Sequence, residues 1–106
     1  MDFYIYKAKL IKIVDADTID ANISLGFDVY KIVRCRLAGI DAPEMKTATG
    51  KASKQYLVNT IPLNSDIVIE SKAYDKYGRS LAVIHYNDVN INDLLIEEGY
   101  AVPYMV

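Results

Sequence analysis

The chain has 106 residues, of which 52% are hydrophobic and 25% charged, so it is long enough for one globular domain, 1–106, and is not disordered. Its net charge of −2 argues against a nucleic-acid-binding domain, because such domains are usually basic. The single cysteine, Cys35, excludes an internal disulfide, and no apolar run is long enough to span a membrane. The N-terminal residues do not resemble a secretory signal, so we expect a cytoplasmic protein, or a secreted one if a leader was removed before this numbering.

Three strands are predicted in the first half of the chain, over 3–14, 18–25 and 27–40. The first is rich in isoleucine, valine and tyrosine, and the second alternates apolar and polar residues as a half-buried strand does. In the third strand, Cys35 shares one face with the apolar residues two positions away, whereas Arg36 lies on the opposite face. Residues 15–17 separate the first strand from the second, and Gly26 is a turn candidate between the second and the third.

A loop, two helices and two strands are predicted in the second half of the chain. Pro43 and Gly50 mark the loop as chain breakers. Asn90 is typical of a helix N-cap, and Gly99 is typical of a helix end. The predicted order is a loop over 41–50, a helix over 51–60, strands over 66–73 and 80–86, and a final helix that Asn90 begins and Gly99 ends.

Five strands with a helix between the third and the fourth fit an OB-fold barrel. Two separate layers of an α+β sandwich fit the same order of elements. The pattern of elements leaves both architectures open.

The first of four segments with chemically useful side chains is Val-Asp-Ala-Asp-Thr over 14–18. On an extended chain the carboxylates of Asp15 and Asp17 would point the same way. A plain turn between strands explains these aspartates equally well, because Asp is a common turn residue.

The second segment joins a strand to the loop that follows it. Arg36 lies on the strand, Asp41 at its end and Glu44 directly after Pro43. Strand ends and the loops behind them often carry functional sites. A solvated arginine beside an acidic loop is the structural alternative.

The remaining two segments combine cations with tyrosines. Asp-Lys-Tyr-Gly-Arg over 75–79 places two cations and a phenol within five residues, and Arg79 is suited to grip two phosphate oxygens. Gly-Tyr-Ala-Val-Pro-Tyr over 99–104 ends in Tyr104, which either packs in the core or offers a stacking surface to a base.

In this order the four segments resemble the staphylococcal nuclease family, whose motifs are D-G-D-T, R-L-x-x-x-D-x-P-E, D-K-Y-G-R and G-x-A-x-x-Y. The resemblance extends from about residue 10 to residue 104. It implies a mainly β (α+β) fold, a five-stranded OB-fold Greek-key barrel with two short helices. The family's glycine in the first motif is Ala16 here, which matters if that turn requires a positive φ angle.

The resemblance also implies one bound Ca²⁺ ion. Asp17 and Asp41 match its carboxylate ligands, and the backbone carbonyl of Ala42 matches a further ligand. Oxygen donors of this kind suit calcium and do not suit zinc. A bound cation would also reconcile the acidic composition with a nucleic-acid substrate.

The remaining site residues follow from the same motif positions. Arg36 and Arg79 match the residues that hold phosphate, and Glu44 matches the general base. The positions that bind the substrate's other phosphate or flank its base are Lys76, Tyr77 and Tyr104.

The implied activity is that of a calcium-dependent endonuclease. It would hydrolyse phosphodiester bonds of DNA or RNA, with single-stranded or frayed substrates preferred, and leave 3′-phosphate ends. We expect a monomer that does not bind membranes. The alternative is a non-catalytic OB-fold module that binds nucleic acid or protein.

Overall fold

The fold is described from a computed structural model that covers residues 4–74 and 76–104. Phe3, at the predicted start of the first strand, and Asp75 of the third motif lie outside the described residues. The elements in chain order are β1 (Tyr4–Asp15), β2 (Thr18–Ser24), β3 (Tyr30–Leu37), β4 (Ile40–Asp41), α1 (Ala48–Thr60), β5 (Asp66–Tyr74), β6 (Ser80–Tyr86), β7 (Val89–Asn90), α2 (Ile91–Glu97) and β8 (Val102–Pro103).

Five long strands close into a barrel. Antiparallel neighbours follow the order β3-β2-β1-β5-β6. The two ends of this order then pair with each other in parallel, where Cys35 lies opposite Ser80 and Leu37 opposite Ala82. This closure confirms the predicted five-stranded OB-type barrel with two helices and excludes two separate layers.

Alternate side chains of the strands fill the barrel. Ile19, Ala21 and Ile23 of β2 are buried, as their spacing predicts. Cys35 and Leu37 of β3 are buried in the same core. Full burial of an isoleucine or leucine side chain, such as Ile19 or Leu37, contributes about 1.5–3 kcal/mol to folding.

The β2–β3 hairpin is shorter than its predicted strands. β2 ends at Ser24 and β3 begins at Tyr30. Gly26 and the two residues after it have positive φ angles, which a strand does not adopt. Leu25, the last residue of the predicted second strand, is 47% exposed.

Three short strands are additions to the predicted order: β4, β7 and β8. Each has two residues, which is too short for a periodic sequence signal. β4 pairs with β8, with Ile40 opposite Pro103 and Asp41 opposite Val102. This pairing brings the end of the described chain beside the loop that follows β3.

The helix α1 begins earlier than predicted, at Ala48 rather than at Lys51. Thr47 caps it, because its hydroxyl accepts a hydrogen bond from the Gly50 N–H at 3.0 Å. Gly50 therefore lies inside the first turn and is not a loop breaker. A Cβ atom at this position would collide with the backbone of Pro43 and Glu44, so only glycine lets that loop pack against the helix.

The helix α2 begins after the predicted N-cap Asn90, whose side-chain oxygen accepts a backbone N–H of the first turn at 3.0 Å. Asn92, which the sequence did not mark, is buried. Its amide nitrogen donates to the carbonyls of Ala38 and Ala82 at 2.9 and 3.0 Å. Its oxygen accepts from the Ile84 N–H at 3.1 Å, so this side chain ties α2 to β6 and to the turn after β3.

Both helices are short, with 13 residues in α1 and 7 in α2. Among the described residues, no helix has the length and apolar character needed to cross a membrane.

Candidate active site

A groove of about 510 Å³ lies where β3, β5 and β6 meet the short strand β4. It collects six of the nine residues that the motifs predict for the site. These are Arg36, Asp41, Lys76, Tyr77, Arg79 and Tyr104. Residues from three separate segments of the chain therefore face one space.

Arg36 is held in a fixed position at the wall of this groove. Its side chain is 14% exposed. Nη1 donates to the carbonyls of Leu37 and Ile40, each at 2.9 Å. Nη2 lies 3.3 Å from Oδ1 of Asp41 and 3.5 Å from Oδ2 of Asp17. Its guanidinium group therefore joins the two predicted metal-binding carboxylates.

Asp17 lies in the turn after β1, and its carboxylate is almost fully buried. Oδ2 accepts from the Ala42 N–H at 2.9 Å, and Oδ1 accepts from the Thr18 hydroxyl at 3.1 Å. Burial alone would raise the pKa of Asp17, but hydrogen bonds with Asp15 and Ala42 and the charge of Arg36 lower the pKa below its ordinary value. The carboxylate is therefore ionised at neutral pH.

Asp15 precedes this turn, and its pKa is raised where that of Asp17 is lowered. Its Oδ1 accepts from the Asp17 N–H at 3.1 Å, so the two carboxylates are neighbours in a turn and not side by side on an extended strand. Burial, together with the neighbouring Asp17, raises the pKa of Asp15 to about 6. Ala16, between them, is buried in the core and is not one of the described residues with positive φ, so this turn does not need the family's glycine.

The predicted calcium ligands agree with calcium in the type of donor. Asp17 and Asp41 contribute only carboxylate oxygens, and both reach the same nitrogen of Arg36. Within the described residues there is no cluster of three or more His, Cys, Asp or Glu side chains that could hold a metal ion. The described lining of the groove includes neither a thiol nor an imidazole. Cys35 is buried in the core, and His85 pairs with Glu70 at 2.7 Å.

Glu44 lies outside the groove, on the exposed loop between β4 and α1. Its carboxylate forms an ion pair with Lys46 at 3.3 Å. The backbone of the loop is held more firmly than this side chain, because the Glu44 carbonyl accepts from both the N–H and the hydroxyl of Thr47, at 3.0 and 2.6 Å. The structure thus does not bring the predicted base together with Arg36 and Asp41.

The segment between β5 and β6 presents cations around one phenol ring. Lys76 Nζ lies 5.3 Å and Arg79 Cζ 5.4 Å from the centre of the Tyr77 ring. Both are cation–π distances. On the facing side, the Tyr104 N–H donates to the Gly39 carbonyl at 2.9 Å, which places this tyrosine at the groove through the β4–β8 pairing.

Two features at this site were missed by the sequence. Tyr74 lines the groove and is 71% exposed. Its position directly before the third motif is the feature of the sequence that could have identified it as a residue of the site. A smaller pocket of about 190 Å³ adjoins the groove at Asp41 and is lined also by Ala42, Pro43 and residues 99–102.

Comparisons with known proteins show the family to which the chain is similar. Residues 34–106 match the family described as staphylococcal nuclease homologue. The chain is 31% identical to a protein named micrococcal nuclease from Shigella flexneri, over 93% of this chain and 59% of that protein. It is 35% identical to an uncharacterized endonuclease from Haemophilus influenzae, over 91% of this chain and 51% of that protein, and 30% identical to one from Escherichia coli O157:H7, over 91% and 60%. The chain thus spans between half and three fifths of the length of these relatives.

Proposed function

The chain belongs to the staphylococcal nuclease family, and from this premise we propose that it is a calcium-dependent endonuclease that hydrolyses phosphodiester bonds of DNA or RNA. The observation that carries the proposal is the single groove that unites Arg36 and Asp41 with Lys76 and Arg79. Among the described residues that line this groove, three cations and one acid give a positive balance, although the whole chain is acidic. Phosphate is the ligand that such a surface attracts.

Arg36 and Arg79 are the proposed phosphate-binding residues. Hydrolysis places additional negative charge on the oxygens of the phosphoryl group, and two guanidinium groups stabilise that charge more than they stabilise the starting diester. Arg36 is already oriented by two backbone carbonyls, so little of its side-chain freedom remains to be lost on binding.

Asp17, Asp41 and the carbonyl of Ala42 are the proposed ligands of one Ca²⁺ ion. Bound calcium would supply positive charge that stabilises the phosphoryl oxygens. Asp17 meets the requirement of an ionised ligand, since its pKa is lowered. Arg36 contacts both carboxylates through the same nitrogen.

Glu44 is the proposed general base. It would orient the attacking water or accept its proton. Support for this role comes from its motif position and from the firmly held backbone of its loop, whereas its carboxylate would have to leave Lys46 to reach the groove.

The tyrosines of the groove would favour substrates with unpaired bases. Tyr77 and Tyr104 are proposed to flank a base, with Lys76 near a second phosphate. Exposed aromatic faces take unpaired bases, so single-stranded or frayed substrates are favoured. Cleavage between phosphorus and the 5′ oxygen would leave 3′-phosphate ends.

The activity is tested by incubating the protein with denatured DNA and with RNA, in calcium and in chelator. We expect cleavage of one or both in calcium and its loss in chelator. Binding without cleavage in calcium would instead support the non-catalytic binding module. Full cleavage in chelator would refute the calcium requirement.

The role of Glu44 is tested by Glu44→Gln. We expect kcat to fall by about 10²–10⁴-fold, the usual contribution of a general base. Glu97→Gln is the matched control, because Glu97 is exposed on α2, and it should retain full activity. Unchanged hydrolysis by Glu44→Gln would show that another group activates the water.

A further inference from the structure

The strand β5 contains a bulge just before the groove. Its pairing with β6 joins Ser71 to Ala82 but then Ala73 to Leu81, so Lys72 is the extra residue. One extra residue reverses the side-chain alternation of every position after it. Bulges of this kind can redirect a side chain beside a functional site.

Tyr74 is the last residue of β5, two positions after the bulge. Opposed residues on paired strands share a face, and Tyr74 lies opposite Ser80, which is buried on the same face as Ala82. Tyr74 is nevertheless 71% exposed at the end of β5. Its ring therefore borders the groove without filling the core.

Tyrosines and cations alternate in the segment that follows the bulge. Tyr74, Lys76, Tyr77 and Arg79 all line the groove. Tyr77 is already engaged on its ring by both cations, whereas Tyr74 has no ring contact of this kind among the described residues. An exposed aromatic face beside phosphate-binding cations fits a nucleobase.

We propose that Tyr74 is the stacking platform for a second base of the substrate, next to the base that Tyr77 and Tyr104 flank. This inference rests on the proposed nuclease function and extends it to the length of substrate that is bound. A strand of several nucleotides contacts Tyr74, and a single nucleotide does not reach it.

The proposal is tested by measuring the affinity of the full chain for fluorescently labelled thymidine monophosphate and for a labelled thymidine octamer, in chelator to prevent hydrolysis. Tyr74→Ala removes the ring and Tyr74→Phe keeps it. Tyr4→Ala is the matched control, because Tyr4 is similarly exposed (65%) on β1 and does not line the groove.

We expect Tyr74→Ala to weaken octamer binding by about 10-fold, within the range for one base stacked on an aromatic side chain. The affinity for the monophosphate should stay within about twofold, and Tyr74→Phe and Tyr4→Ala should match the unaltered chain for both ligands. Octamer binding that Tyr74→Ala leaves unchanged, or an equal loss for both ligands, would overturn the second stacking position alone. If the unaltered chain binds neither ligand in chelator or with calcium, the proposed function fails, and this inference fails with it.

Discussion

At the scale of single residues, Asp15 and Asp17 show how the same side chain acquires opposite properties two positions apart. Asp17 accepts a backbone N–H and faces Arg36, which favours the charged form. Asp15 is buried beside Asp17, which disfavours a second negative charge and raises the pKa of Asp15 to about 6. This difference predicts a pH dependence of stability.

Asp15 should destabilise the folded chain at neutral pH. Its folded pKa of about 6 lies above the ordinary 3.8, so the unfolded chain loses this proton first. The contribution of Asp15 to stability is therefore fully present below about pH 4 and is lost as the pH rises through 6, by about 3 kcal/mol at most and by about 1–2 kcal/mol after solvent screening. Asp15→Asn should remove this loss, because an amide oxygen can still accept the Asp17 N–H.

Urea unfolding in chelator at pH 4 and pH 7 measures this effect. Asp15→Asn should match the unaltered chain at pH 4 and exceed it at pH 7. Asp66→Asn is the control, since Asp66 is exposed and pairs with Lys9 at the surface. If the stability of Asp15→Asn differed from that of the unaltered chain equally at both pH values, ionisation of Asp15 would not be the cause of the loss.

Gly50 is predicted to position the loop that holds Glu44. Because a Cβ atom would collide with the backbone of Pro43 and Glu44, Gly50→Ala should displace this loop. We expect kcat to fall by about 10–100-fold, the range for misplaced catalytic groups. In the Glu44→Gln background, Gly50→Ala should lower kcat by less than about twofold, because the carboxylate that Gly50 positions is already removed.

A double-mutant cycle on kcat measures this coupling. Lys51→Ala, on the exposed side of the same helix turn, should have no effect in either background. Equal losses from Gly50→Ala in both backgrounds would mean that the glycine serves the fold and not Glu44.

At the scale of elements, the helices are attached to the barrel by polar anchors as well as by apolar contacts. The Ser53 hydroxyl of α1 donates to the Tyr100 carbonyl at 2.8 Å, and Asn92 of α2 satisfies three backbone groups. Ser53 is buried while its neighbour Ala52 is exposed. The buried face of α1 is thus set by this hydrogen bond and by the close approach at Gly50.

Asn92→Ala should destabilise the chain by about 2–4 kcal/mol, because it removes the side-chain partner of the Ile84 N–H and of the Ala38 carbonyl. Denaturant unfolding measures the loss. Asn59→Ala, on the exposed side of α1, should change stability by less than about 0.5 kcal/mol. A loss at Asn92 as small as that at Asn59 would show that the anchor is dispensable.

At the scale of the whole molecule, barrel closure protects the single thiol. Cys35 is fully buried at the parallel β3–β6 junction, and burial raises the pKa of its thiol to about 12. The thiol is therefore neutral and inaccessible while the barrel is closed.

Cys35 should react with an aromatic disulfide reagent at least about 10³-fold more slowly in the folded chain than in urea, as expected if reaction requires global opening. The absorbance of the released thiol measures the rate. Asn92→Ala, which weakens the fold, should speed the reaction, and Asn59→Ala should not. Fast reaction of the folded chain would show that the β3–β6 junction opens locally.

The sequence predicted those features that depend on neighbouring residues. Alternation identified the buried faces of β2 and β3, and Asn90 and Gly99 marked the limits of α2. It misplaced the start of α1, because the position of Gly50 depends on a loop that packs against it. It missed Asn92, since its partners lie up to 54 residues away.

For the candidate site, the order of the motifs by itself determined the family and the residues to examine. Only the tertiary structure decided that Arg36 joins Asp17 to Asp41, that Glu44 pairs with Lys46 outside the groove, and that Tyr74 lines the groove. The physical reason is range: side-chain alternation, caps and turns are local, whereas these contacts exist only after β3 and β6 close the barrel.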